Sequence, residues 1–86
     1  MTVRVLLFAS LAQQTGVSET TIMLADAAGG PSPTVADARD ALLRQYPALT
    51  PLADRLAYAV NLAYVPLSQP LHDGDELALI PPVSGG

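Results

Sequence analysis

The chain of 86 residues contains no cysteine, no lysine and no tryptophan. Without cysteine there is no disulfide to staple it, no zinc-ribbon site and no thiol nucleophile. Absent cysteine also fits a reducing compartment. Without lysine there is no side-chain amine for a Schiff base or an isopeptide bond, so any such amine must come from a partner. Basic charge is scarce as well. The four bases are all arginines (Arg4, Arg39, Arg44 and Arg55) against eight acids, for a net charge of −4 and a pI near 4.4. No basic cluster exists, which argues against nucleic acid and against anionic membranes as partners. The apolar runs are too short to span a bilayer. The opening run "MTVRVLLFASLAQQ" lacks the cleavage site of a signal peptide. The expectation is a soluble, cytoplasmic protein.

Histidine is nearly absent too. His72 stands alone, so Ser10, Ser18, Ser32, Ser68 and Ser84 lack the base and orienting group that nucleophilic catalysis needs. With Asp73 and Asp75 beside it, His72 could suggest a metal site, but "HDGD" reads more simply as a turn bending at Gly74. Glycines 29 and 30 sit in a loop without the strand, Lys or Ser/Thr of a phosphate cradle. No metal site and no catalytic pocket are expected. Alone, the chain should catalyse nothing.

The length allows one domain, which buries about 60–65% of its unfolded surface. Half of the residues are apolar and 14% are charged. A small domain cannot hide that many apolar side chains. They are either scattered surface alanines or a protein-binding face.

Along the chain, "TVRVLLFA" predicts a strand over about residues 2–9. Val3, Val5 and Leu7 share one face; Arg4, Leu6 and Phe8 share the other. Both faces turn apolar after Arg4, which predicts an interior strand. "SLAQQTG" predicts a short helical turn closed by Gly16, and "SETTIMLA" a strand that forms a hairpin with the first. "DAAGGPSP" is a loop. Thr34 and Asp37 form a capping-box-like start to a helix carrying Val35, Ala38, Leu42 and Tyr46 as one stripe. Asp40 and Arg44 can pair one turn apart. Pro47 ends the helix, and "LTPLADR" reads as irregular, with one short turn at most. "LAYAVN" is a third strand and "YVPLSQ" a short fourth, marked as an edge by Pro66 and Pro70. "ELALI" is the last strand.

The order is strand, strand, helix, strand, short strand, strand. One helix must then cover one face of a mixed sheet of four to five strands, an α+β architecture. A last strand parallel to the first would send the two chain ends out at opposite ends of the sheet. Residues 1–82 are expected to form the domain and residues 83–86 a tail ending in Gly85 and Gly86. Two terminal glycines arise by chance in about one chain in 200, although frayed ends are common.

This order, with "RVLLFASLAQQTG" at the start, "AVN" before the hairpin turn and "LHDGDELALIPPVSGG" at the end, resembles the ubiquitin-like β-grasp sulfur carriers. Within them it is most similar to the small subunits of molybdopterin synthases. The likeness covers the whole chain, and "DGDELALIPPVSGG" is its specific part. Leu62–Ala63 and Ala12–Gln13 depart from the family pattern at the hairpin tip and after Leu11. The resemblance implies that an E1-like activating enzyme adenylates Gly86 with ATP and that the carboxylate becomes a thiocarboxylate. It further implies that the arm of Val83, Ser84 and Gly85 enters a large molybdopterin synthase subunit. There the sulfur would pass to cyclic pyranopterin monophosphate, in a heterotetramer of two large and two small subunits. Pro81 and Pro82 would aim the arm, and an apolar sheet face including Phe8 would dock. No cofactor is expected on the chain itself. Carriers for thiamine or cysteine synthesis, and a ubiquitin-like protein modifier, remain open.

The chemistry suits the composition. A carboxylate is a poor electrophile, whereas its mixed anhydride with AMP is a good acyl donor. A sulfur source can displace AMP and leave –COS⁻. Met1 and Met23 are inert thioethers, so the terminal carbonyl is the one place for a transferable, nucleophilic sulfur. Four extended residues reach about 13–14 Å, and glycine passes narrow channels because it has no Cβ.

Overall fold

The structure, a computed structural model, describes residues 1–25 and 30–82. Its elements are β1 (Thr2–Leu7), α1 (Ser10–Thr15), β2 (Glu19–Met23), α2 (Val35–Gln45), a 3₁₀ segment (Pro47–Arg55), β3 (Ala57–Val60), β4 (Ala63–Val65) and β5 (Glu76–Ile80). The strands form one five-stranded sheet in the order β2-β1-β5-β3-β4. Only β1 and β5 run parallel; the other neighbours are antiparallel. This is the α+β mixed sheet with one main helix that the sequence predicts.

Alternation decides which side of the sheet is buried. Val3, Val5 and Leu7 of β1 join Leu77 and Leu79 of β5 and Tyr58 and Val60 of β3 on the inner face. α2 covers that face with Val35, Ala38 and Leu42, all fully buried, while Tyr46 packs half-buried at the end of the stripe. The capping box is present. Thr34 Oγ1 accepts from the Asp37 amide at 3.4 Å, and Asp37 Oδ2 accepts from the Thr34 amide at 2.8 Å. Two orphan donors of the first turn are thereby satisfied. Gly16, at φ 80, closes α1 in the left-handed conformation that glycine adopts without strain.

β1 lies between two partners, as its doubly apolar pattern requires, but it stops at Leu7 and not at residue 9. Ala9, at φ 50, turns the chain away into α1. The stretch after Pro47 is more ordered than the sequence suggests. Nine residues form the 3₁₀ segment, with Leu49 fully buried. Pro51 inside it has no amide hydrogen and blocks an α-helical ladder, while Leu49 and Leu52 lie one 3₁₀ turn apart and pack on the core. Asp40 pairs with the adjacent Arg39 at 3.3 Å and not with Arg44. The reach of the Arg39 side chain makes the neighbouring carboxylate as accessible as one a turn away, and an exposed pair of either kind adds little.

One core group lacks a partner. The Tyr58 hydroxyl is buried with no hydrogen bond among the described residues. Burial pushes its phenol above the ordinary range, with the Arg39 guanidinium acting in the opposite sense. An unpaired buried hydroxyl opposes folding. Tyr58→Phe is therefore expected to leave stability unchanged or raise it by up to about 1 kcal/mol in a denaturant melt. A clear loss would show that the hydroxyl is bonded.

Candidate functional site

The face of the sheet opposite α2 has no element packed on it among the described residues. Its side chains follow from register. Leu6 lies beside Ala78, Ala78 beside Ala59 and Ala59 beside Tyr64, forming one row across four strands. The next row sets Ile80 beside Ala57, with Phe8 one residue past the end of β1. Small alanines in the middle strands and larger residues on either side leave a hollow. Its volume is about 230 Å³, and Leu6, Phe8, Leu62, Tyr64 and Ile80 border it. Four large hydrophobic side chains are exposed among the described residues: Phe8 at 48%, Tyr64 at 75%, Leu62 at 93% and Met23 at 81%. The first three line this hollow. Met23, paired with Thr2, lies on the same face at the other end.

The opposite end of the face is polar. Arg4 bonds to Glu76 and lies 3.4 Å from Glu19. These carboxylates, the Glu76 hydrogen bond first, hold the guanidinium above its ordinary range. Asp73 accepts from the Thr2 amide at 2.7 Å, and Asp75 accepts from Asn61 Nδ2 at 3.1 Å. Four acids thus gather with one base. His72 sits in the predicted turn: the Asp75 amide donates to the His72 carbonyl at 3.0 Å, and Gly74 bends the chain at φ 87. No group of three or more potential metal ligands occurs among the described residues, and no helix among them is long and apolar enough to cross a membrane.

β5 delivers the chain to this face. Ile80 borders the hollow beside Phe8, and the half-buried Pro81 and exposed Pro82 follow it directly. Prolines fix φ and donate no hydrogen bond, so they end the strand. Because β5 runs parallel to β1, Pro82 lies at the end of the sheet opposite Met1. Val83, Ser84, Gly85 and Gly86 lie outside the described residues. Of the other candidate residues of the sequence, Phe8 borders the hollow, and Pro81 and Pro82 directly follow Ile80, which also borders it. Leu62, Tyr64 and Ile80 were not singled out by sequence. For Tyr64 and Ile80 alternation fixes the face only within their own strands, and the pairing of the sheet puts that face on the side of Leu6.

The model of the ThiS family matches residues 5–86. This chain belongs to the ThiS family. Among its relatives, the molybdopterin synthase sulfur carrier subunit of Chlamydomonas reinhardtii is 36% identical over the full length of both chains. The ThiS-family fold recurs in solved structures. The crystal structure of SAMP1 from Haloferax volcanii superposes with a TM-score of 0.83 at 33% identity, covering all of both chains. A chain of the protein–protein complex of subunits 1 and 2 of molybdopterin-converting factor from Helicobacter pylori matches with a TM-score of 0.67 at 28% identity, again over both full chains.

Proposed function

We propose that this ThiS-family chain is the sulfur-carrier subunit of a molybdopterin synthase, with Gly86 as the residue that carries the sulfur. The observation that carries the reading is the full-length likeness to a molybdopterin synthase sulfur carrier subunit. The geometry supports it: β5 and its two prolines lead toward the arm from the border of an exposed apolar hollow. Residues 1–82 are the docking body and residues 83–86 the arm.

In this reading the Gly86 carboxylate attacks the α-phosphate of ATP on an activating enzyme and releases pyrophosphate. A sulfur donor then displaces AMP, leaving the thiocarboxylate. The body docks by its open sheet face on the large synthase subunit, in a heterotetramer of two large and two small subunits. The arm reaches the pterin substrate, a cyclic pyranopterin monophosphate, and two thiocarboxylate-bearing chains give up one sulfur each to form the dithiolene. Water restores the carboxylate. The cations that hold a phosphorylated substrate sit on the large subunit, since this chain is acidic. The chain holds no cofactor of its own, and the setting is the cytoplasm.

Reconstitution tests this. The chain, an activating enzyme, ATP, a sulfur donor and the large subunit should together convert the precursor to molybdopterin, and omission of this chain should stop conversion. Conversion without it would refute the assignment. The docking face has its own test. Phe8→Asp places a charge at the hollow and is expected to weaken the complex about tenfold or more, with an unchanged melt because Phe8 is half exposed. Unchanged affinity with an intact fold would put the docking face elsewhere. A second reading is favoured by the likeness to SAMP1, a small archaeal modifier protein. There, Gly86 would end in an isopeptide bond to a lysine of another protein.

A further inference from the structure

Three non-glycine residues among those described have positive φ: Ala9 at 50, Asn61 at 50 and Leu62 at 73. Each lies at the apolar hollow or next to a residue lining it, Ala9 following Phe8, and Asn61 and Leu62 forming the tip between β3 and β4. Two left-handed residues in a row make the two-residue turn that suits a hairpin, and asparagine followed by glycine is its usual sequence. Here leucine takes the glycine position, where its Cβ crowds the following carbonyl.

The turn is nevertheless held firmly. Asn61 Nδ2 donates to Asp75 at 3.1 Å, Asn61 Oδ1 accepts from the Glu76 amide at 3.1 Å, and the Asn61 amide donates to the Glu76 carbonyl at 2.9 Å. Leu62 itself is 93% exposed. A large apolar side chain therefore stands in a disfavoured backbone conformation and is barely covered within the chain. The turn accounts for the left-handed backbone but not for an exposed leucine where glycine would serve it better, and such a side chain points to a contact outside the chain.

We infer that Leu62 is a docking anchor. It enters an aliphatic pocket on the larger protein that receives the carrier arm, and a basic side chain beside that pocket meets the acids at the root of the turn. The inference rests on the docking reading above and adds the chemistry of the partner. Charge selects the occupant. Asp73, Asp75 and Glu76 outnumber Arg4 next to the turn, and Arg4 is already engaged by Glu76 and by Glu19 of β2. A second copy of this chain, with net charge −4, would set the same acids against one another. A cationic partner surface is complementary.

Calorimetric titration of the full chain against the purified large molybdopterin synthase subunit of the same organism tests the inference. Leu62→Asn accepts the left-handed conformation and removes the apolar anchor. It is expected to weaken binding about tenfold or more while melting at or above the parent. Leu62→Met should bind nearly as the parent does. Affinity should fall as salt is added, because the acidic rim meets a cation. Unchanged binding by Leu62→Asn overturns the anchor, and so does a lowered melt, which would make Leu62 a packing residue of the fold. If Phe8→Asp weakens the complex and Leu62→Asn does not, the anchor falls and the docking face stands; if neither does, both fall. Salt-independent affinity overturns the cationic partner.

Discussion

Deletion of Gly86 is expected to abolish sulfur delivery and leave the melting temperature where it was. Among the described residues the buried core runs from Val3 to Leu79, and chain termini generally contribute little to stability. Activity depends on reach. Residues 83–86 span at most about 14 Å, and losing one shortens the arm by about 3.5 Å. Misplacement of a reacting group by about 1 Å can cost about a hundredfold in rate. The deletion should therefore fail at both the activating enzyme and the synthase. Gly85→Val should fail too, because a branched side chain restricts the backbone and meets the channel wall. Thiocarboxylate formation, sulfur delivery and a melt of each variant are the measurements. Full activity from the deletion would rule out Gly86 as the carrier.

Leu42→Ala is the stability counterpart. Leu42 is fully buried in the middle of the α2 stripe, facing the inner side of the sheet. Truncating such a leucine removes its transfer energy and leaves a cavity, at a cost of about 2–5 kcal/mol. Domains of this size have only about 5–15 kcal/mol in total, so the variant should melt far below the parent in denaturant. A loss under about 1 kcal/mol would contradict the packing described here, because only a collapsing or exposed site gives so little.

The helix was legible because its signals are local. Thr34, Asp37 and the Val35–Ala38–Leu42 spacing lie within one short segment, and Pro47 marks its end. The hairpin of β1 and β2 was legible for the same reason. The 3₁₀ segment was not: Pro47 and Pro51 read as breakers, and the packing of Leu49 that orders the segment depends on residues distant in sequence. The docking face was half legible. Alternation placed Leu6 and Phe8 on one side of β1. It could not bring Tyr64 and Leu62 to them, because that proximity arises only when β5 inserts between β1 and β3. The Arg4–Glu76 pair spans 72 positions and is equally a product of parallel pairing. Leu62 stood out in sequence only as a departure from the family pattern; its backbone conformation and exposure give it a role.

The central claim is that Gly86 carries sulfur. It is tested most directly by intact mass spectrometry of the protein isolated from its own host, with fragmentation to locate the change. The account predicts a species heavier by the replacement of one oxygen by sulfur, with the difference on Gly86. A ladder of larger species, with Gly86 joined to lysines of other proteins and no thiocarboxylate, would contradict it.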